Sequence, residues 1–160
     1  MPHEELIFDP NGLYILLTDI GAELQFHWGF YLATAPKEGW IFHLINNEDT
    51  NHEWKYQTKP SVNVPSSLNL LVAVKIAVLE PGLHAPFGDR LAQIPIAPSP
   101  LYGPITCRTW LKEALFHLDN EGYIKLIKSV DAVEDEALME AANNQPRRRR
   151  TAIRSTGSAA

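Results

Sequence analysis

The chain contains one cysteine, Cys107, and its neighbours predict that the thiol lies at the start of a helix. Thr106 is a residue type that caps helix N-termini, and apolar residues recur after Cys107 at helical spacing. The unpaired N–H groups and the partial positive charge of a helix start stabilise a thiolate. Cys107 is therefore a candidate nucleophile, with a small buried core residue as the alternative interpretation.

Two histidines are predicted to share one face of a β-hairpin. The segment Glu23–Ala33 alternates between large apolar residues and a second set that includes His27, and Trp40–Ile45 is another strand-like run. The breaker-rich stretch 35–39 predicts the turn between them. Pairing across that turn makes His27 and His43 diagonal neighbours, with Cβ atoms about 7–8 Å apart.

These three side chains together indicate thiol chemistry. An imidazole beside a thiol supplies the base that makes it an effective nucleophile, and a second imidazole can orient the first. We predict acyl transfer through a covalent acyl-enzyme, with Cys107 as nucleophile and with one of the two imidazoles, His27 or His43, orienting the other, which serves as the general base. Polar residues of the loop after the second strand are alternative orienting residues: Asn46, Asn47 and Asp49.

The elements that would position these residues predict an α+β fold, with an antiparallel sheet of four or five strands and the Cys107 helix packed on it. The predicted strands are Leu13–Thr18, Glu23–Ala33, Trp40–Ile45 and Glu53–Gln57. The segment Leu68–Leu79 fits either a strand or a helix, and its β-branched residues favour a strand, while Tyr123–Ile127 is a candidate last strand. A short helix is predicted near 88–94, and the clearest helix runs from Cys107 to Asn120.

The domain organisation is predicted to be one catalytic domain over residues 1–130, an acidic helix over 131–142 and a disordered tail over 143–160. The tail carries five arginines, from Arg147 to Arg154, and ends in small residues. It is a candidate contact for an anionic partner, and a solvated tail without a function is the alternative.

Length, composition and charge exclude several classes of protein. A chain of 160 residues with 45% hydrophobic residues fits one globular domain, and its net charge of −5 argues against a general nucleic-acid or membrane-surface binder. The acidic start Met1–Glu5 is unlike a signal peptide, and no apolar run is long enough for a membrane span. We therefore expect a soluble, cytoplasmic protein. Neither a CxxC pair nor a phosphate-binding glycine motif is present, so no metal and no cofactor are predicted.

Three segments resemble the circularly permuted papain-like proteins, which include lecithin retinol acyltransferase, its phospholipase/acyltransferase relatives and desumoylating isopeptidases. They are Gln25–Leu32, with the sequence QFHWGFYL, Trp40–Leu44, with WIFHL, and Thr106–Leu111, with TCRTWL. The resemblance implies a base at His27, an orienting residue at His43 and a nucleophile at Cys107. The Asn-Cys-Glu-His-Phe that usually surrounds the nucleophile is here Thr-Cys-Arg-Thr-Trp, which leaves the substrate class open.

The acyl donor and acceptor stay open between acyl, peptide and aminoacyl substrates. Trp28, Tyr31 and Trp40 are predicted to line the substrate pocket, and Arg108 is a candidate for binding an anionic group. One alternative is an aminoacyl transferase, similar to a cyclodipeptide synthase, that takes its acyl group from a carrier or a tRNA. The other is a non-catalytic binding domain with the same fold.

Overall fold

A computed structural model describes residues 5–160. The acidic start of the chain, which argued against a signal peptide, lies mostly outside these residues. Residues 5–160 form six strands and three α-helices in an α+β arrangement. The strands are β1 (Gly12–Asp19), β2 (Phe26–Ala35), β3 (Glu38–Ile45), β4 (Lys55–Ser61), β5 (Leu70–Val78) and β6 (Thr151–Arg154). The helices are α1 (His84–Ala92), α2 (Cys107–Asn120) and α3 (Val130–Asn144).

All six strands form one sheet in the order β4-β3-β2-β1-β5-β6. Neighbouring strands are antiparallel except β5 and β6, which are parallel. The sheet is therefore mixed and has six strands, where the sequence predicted four or five antiparallel ones. The predicted strand Tyr123–Ile127 is wrong: this segment is irregular and makes one isolated bridge, from Leu126 to Ser158.

The three helices cover one face of the sheet. Alternate residues of β2, among them Trp28 and Phe30, share this face with the buried stripe of α2. The ring centroids of Phe30 and Trp110 lie 6.1 Å apart, so α2 packs directly on β2. The other face carries a smaller core cluster that includes Tyr31 and is covered by Phe8 and a short 3-10 turn. The alternation along β2 was thus predicted correctly.

The C-terminal segment is ordered, which corrects the prediction of a disordered tail over 143–160. Residues Thr151–Arg154 pair with Val72–Lys75 as β6. Ser158 is buried and its hydroxyl donates hydrogen bonds to the carbonyls of Ile76 and Lys125. A composition of Ser, Gly and Ala predicts poor burial on its own, but backbone pairing to an open sheet edge needs no large side chains. The acidic helix predicted over 131–142 is α3, which caps on Ser129.

No helix within residues 5–160 is long and apolar enough to cross a membrane.

Candidate active site

His27 and His43 form a hydrogen-bonded pair on the sheet face opposite the helices. His27 Nε2 lies 2.8 Å from His43 Nδ1. The sequence-derived register is correct, because Ala33 pairs with Gly39. Gly29 lies between the two imidazoles, and a Cβ atom built there would lie 3.1 Å from the Cβ of His43. A glycine at this position therefore lets the two strands bring the rings together.

Gln57 extends the pair into a chain of three side chains. Its Oε1 lies 2.7 Å from His43 Nε2, since Gln57 on β4 is directly opposite His43 on β3. Sequence reasoning missed this residue, although Gln57 fell inside a predicted strand. Aligning that strand with β3 would have identified it. The alternative orienting residues do not take this role: Asn47, for example, caps the short turn Glu48–Thr50.

The direction of the hydrogen bonds follows from Gln57. An amide oxygen only accepts, so His43 donates from Nε2 and, when neutral, accepts at Nδ1. His27 must then donate from Nε2, which leaves the lone pair on its Nδ1. Among residues 5–160, no group makes a hydrogen bond to this Nδ1. The chain therefore fixes His27 in the tautomer that a general base requires.

Both imidazoles are held neutral at physiological pH. Burial lowers the pKa of His27 to about 4, with smaller contributions in the same direction from His43 and Lys59. Burial also lowers the pKa of His43, against the hydrogen bond that His43 donates to Gln57, which raises it. Low-dielectric surroundings disfavour the imidazolium form, and no carboxylate among the described residues contacts either ring to offset this.

Cys107 is the first residue of α2, as predicted. Thr106 is the N-cap: its hydroxyl accepts from the N–H of Thr109 at 3.1 Å, and the Thr109 hydroxyl accepts from the N–H of Thr106 at 2.8 Å. This reciprocal capping box fixes the start of the helix, so that the sulfur lies among the first free N–H groups. The thiol is nearly buried, with 9% of the residue exposed.

The expected stabilisation of the thiolate is outweighed by burial. Burial raises the pKa of the Cys107 thiol, and the backbone N–H groups of Trp28, Arg108 and Cys107 itself oppose this rise only in part. The resting pair is therefore a neutral thiol and a neutral imidazole. The helix start acts as the sequence predicted, but that prediction omitted the cost of placing a charge in the core.

The structure brings the two histidines together but does not join either of them to the thiol. Strand alternation places His27 on the face opposite Trp28, whereas Cys107 packs with Trp28 on the helix side. The contact of Cys107 with β2 is the N–H of Trp28, in the peptide that follows His27. No hydrogen bond links Cys107 with His27 or His43 in the described part of the chain.

The strand β2 is open on one side at this point. It pairs with β1 as far as Phe26, but its backbone pairing with β3 runs only to Phe30. The peptide between His27 and Trp28 therefore has no backbone bridge to β3, although the His27 and His43 side chains still bond across the two strands. Sulfur and imidazole approach this peptide from opposite faces of the sheet.

The predicted pocket residues do not form one pocket. Trp28 is 2% exposed in the helix-side core, and Tyr31 is fully buried on the other face. Trp40 is half-exposed and lines a cavity of about 410 Å³ with Phe42 and Tyr56. The prediction treated all three as neighbours because they are aromatic and near in sequence. In a strand, however, Trp28 and Tyr31 must face opposite sides.

Arg108 is held by the protein itself. Its Nε donates to Glu134 Oε2 at 2.6 Å, and its guanidinium lies 5.0 Å from the centre of the Trp28 ring. Glu134 also accepts from Lys112 at 2.9 Å. These contacts fasten α3 to the first turn of α2, so that Arg108 supports the position of Cys107 rather than presenting a free charge.

Comparison with known proteins gives no relative: no protein-family model matches the chain, and neither a curated protein nor a solved structure is significantly similar to it. Within residues 5–160, no group of three or more His, Cys, Asp or Glu side chains is placed to hold a metal ion.

Proposed function

We propose that the protein is a thiol-dependent acyl-transfer enzyme, a hydrolase or acyltransferase, with Cys107 as nucleophile and His27 as general base. The observation that carries this proposal is the hydrogen-bonded chain from Gln57 through His43 to His27. This buried chain leaves the lone pair of His27 Nδ1 free to accept a proton. Cys107 contacts the N–H of Trp28, which belongs to the next peptide along the strand. The order His27, His43, Cys107 along the sequence is the one that the resemblance to the permuted papain-like proteins implies.

The chemistry begins from a neutral pair. His27 Nδ1 accepts the thiol proton while the sulfur attacks the substrate carbonyl, so no stable thiolate is required. The carbonyl oxygen gains negative charge, which N–H groups at the start of α2 can stabilise. His27 then returns the proton to the leaving group, and water or an amine resolves the acyl-enzyme.

His27 and Cys107 must move closer than they lie at rest. Catalytic hydrogen bonds are often long without substrate and form in the complex. We propose that they approach each other beside His27, where the backbone pairing of β2 with β3 has already ended at Phe30.

The test is acylation of the purified full-length chain by p-nitrophenyl acetate, followed by intact-protein mass spectrometry. One acetyl adduct is expected in the wild type, mapped to Cys107, and none in Cys107→Ser. His27→Ala should lower the acylation rate by about 100-fold or more, as loss of a general base does. His52→Ala is the matched control, because His52 is exposed on the loop after β3 and bonds to neither imidazole.

Two results would refute the proposal. One is acetylation of Cys107 at the same rate in wild type and His27→Ala. The other is a folded wild-type protein that neither carries an adduct on Cys107 nor releases p-nitrophenol faster than Cys107→Ser, which would support the alternative of a non-catalytic binding domain.

A further inference from the structure

The cavity of about 410 Å³ that Trp40 lines lies between the helix-side face of the sheet and α1. Strand alternation puts Trp40 and Phe42 of β3 and Tyr56 of β4 on this face, and all three line the cavity. Phe42 is nearly buried, Tyr56 is partly exposed and Trp40 is half-exposed, so the space is open to solvent on one side. Three aromatic side chains therefore line a space of the size that small ligands occupy.

Helix α1 forms the opposite wall of the cavity without filling it. Phe87 is buried in the core, whereas Gly88, which follows it, lines the cavity. A Cβ atom built at Gly88 would lie 3.2 Å from Cε1 of Phe42. The glycine therefore lets the helix lie close to the sheet at this point while the wall of the cavity stays free of a side chain.

One carboxylate at this cavity has no partner inside the protein. Asp89 is exposed and lines the cavity, and no hydrogen bond or ion pair engages its side chain within residues 5–160. The adjacent Arg90 pairs with Glu121 instead, at 2.7 Å. No lysine or arginine of the described chain lines the cavity. The negative charge of Asp89 is therefore left for a ligand.

Two other polar groups of the lining are already engaged. The Nε2 of His84 donates to the carbonyl of Leu79 at 2.9 Å, and the Tyr56 hydroxyl donates to the carbonyl of Gly88 at 3.3 Å. Burial raises the pKa of Tyr56 to about 12, and the charge of Asp89 contributes to this rise. Tyr56 therefore stays a neutral phenol, whose ring face attracts positive charge.

We propose that this cavity binds a small organic cation, an alkylated ammonium group whose charge faces Asp89 and whose alkyl groups contact Trp40, Phe42 and Tyr56. Such a group has few N–H donors, so aromatic faces and a nearby negative charge bind it in place of hydrogen bonds. A neutral ligand would gain nothing from Asp89, and an anion would be repelled by it. The inference goes beyond the thiol chemistry proposed above and does not depend on it.

The volume of the cavity favours a free molecule as the ligand. About 410 Å³ lies within the range of sites that enclose most of a whole small molecule. The same ammonium group also occurs on trimethyllysine and on the head group of phosphatidylcholine. The experiment therefore has to separate the free cation from these two larger carriers.

The test compares choline with 3,3-dimethylbutan-1-ol, which has the same shape and a carbon atom in place of the charged nitrogen. Each is titrated into the ¹⁵N-labelled full-length chain, and the indole N–H signal of Trp40, assigned by its loss in Trp40→Leu, reports binding at the cavity. Choline should shift this signal to saturation, with a dissociation constant at least about fivefold lower than that of the alcohol. Added salt should weaken the binding of choline alone.

Two variants test the residues that carry the inference. Asp89→Asn should raise the dissociation constant of choline about threefold and leave that of the alcohol unchanged. Asp135→Asn is the charge-matched control and should behave as wild type, because Asp135 is exposed on α3, which packs on β1 and β5 towards the other edge of the sheet. Trp40→Leu should weaken choline more than the alcohol, as measured by saturation transfer to the protons of each ligand.

Three results would overturn the inference: no shift of the Trp40 signal by choline in a folded chain, equal affinity for choline and the alcohol, or equal weakening by Asp89→Asn and Asp135→Asn. Binding of a trimethyllysine peptide or of phosphatidylcholine vesicles without binding of choline would also overturn it, in favour of a larger partner. None of these results bears on acylation of Cys107, so the proposed function is tested separately.

Discussion

His27 Nε2 and His43 Nδ1 lie 2.8 Å apart on two strands whose register the sequence alone could place. The bond fixes which nitrogen of His27 is free. Because Gln57 ends the chain as an acceptor, the proton order is set along all three side chains. The arrangement gives a base with a fixed lone pair and no charge at rest, and the following predictions depend on that property.

The first prediction concerns the pH profile of acylation. Since burial lowers the pKa of His27 to about 4, the base is unprotonated throughout the neutral range. The rate of acetylation should be flat from about pH 5.5 to 7.5 and should fall only as the pH approaches 4. A midpoint near the ordinary value of about 6.5 for histidine would contradict it.

The second prediction concerns the thiol. Burial raises the pKa of Cys107, so its reaction with iodoacetamide, which needs the thiolate, should be slower than that of free cysteine at pH 7 and should still be rising above pH 9. Substrate acylation should be fast at the pH where alkylation is slow, because His27 removes the proton during attack. A labelling midpoint below pH 7, lost in His27→Ala, would indicate a resting thiolate–imidazolium pair instead.

The third prediction separates positioning from packing at Gln57. Gln57→Leu leaves His43 Nε2 without an acceptor and should lower the acylation rate about tenfold. Gln57→Glu keeps an acceptor but adds a negative charge, which favours the imidazolium forms and should shift the acid limb of the pH profile upwards. A merely structural residue would lower the rate in both variants without moving that limb.

The sequence predicted the parts of this site that depend on residues close together in the chain, and it missed the parts that depend on distant ones. The pairing of Ala33 with Gly39 and the cap at Thr106 are local, so turn and capping preferences identified them. The face on which α2 packs is a long-range choice, and it put Cys107 on the opposite side from His27. Likewise, β6 forms because the edge of β5 is open, which the composition of the tail does not encode.

The fourth prediction is a dependence of stability on pH. The pKa of His27 is lowered from about 6.5 in the unfolded chain to about 4 in the fold. Between these values the unfolded chain binds more protons, so the free energy of unfolding should fall as the pH drops from 7.5 to 5. His27 contributes up to about 2 kcal/mol of this loss, and the contribution ends below pH 4. Urea unfolding at both pH values measures it, and His27→Gln should show a smaller loss; an equal loss in both proteins would refute the assignment.

The fifth prediction tests the ordered C-terminus. Removal of residues 151–160 deletes β6 and the two hydrogen bonds of Ser158, and it exposes the edge of β5. Because Ile153 packs against the main core, the truncated chain should lose several kcal/mol of unfolding free energy or fail to fold. Ser158→Ala is the milder variant and should cost about 1–3 kcal/mol, since it leaves buried carbonyls without their donor. A disordered tail would make both changes neutral in urea unfolding.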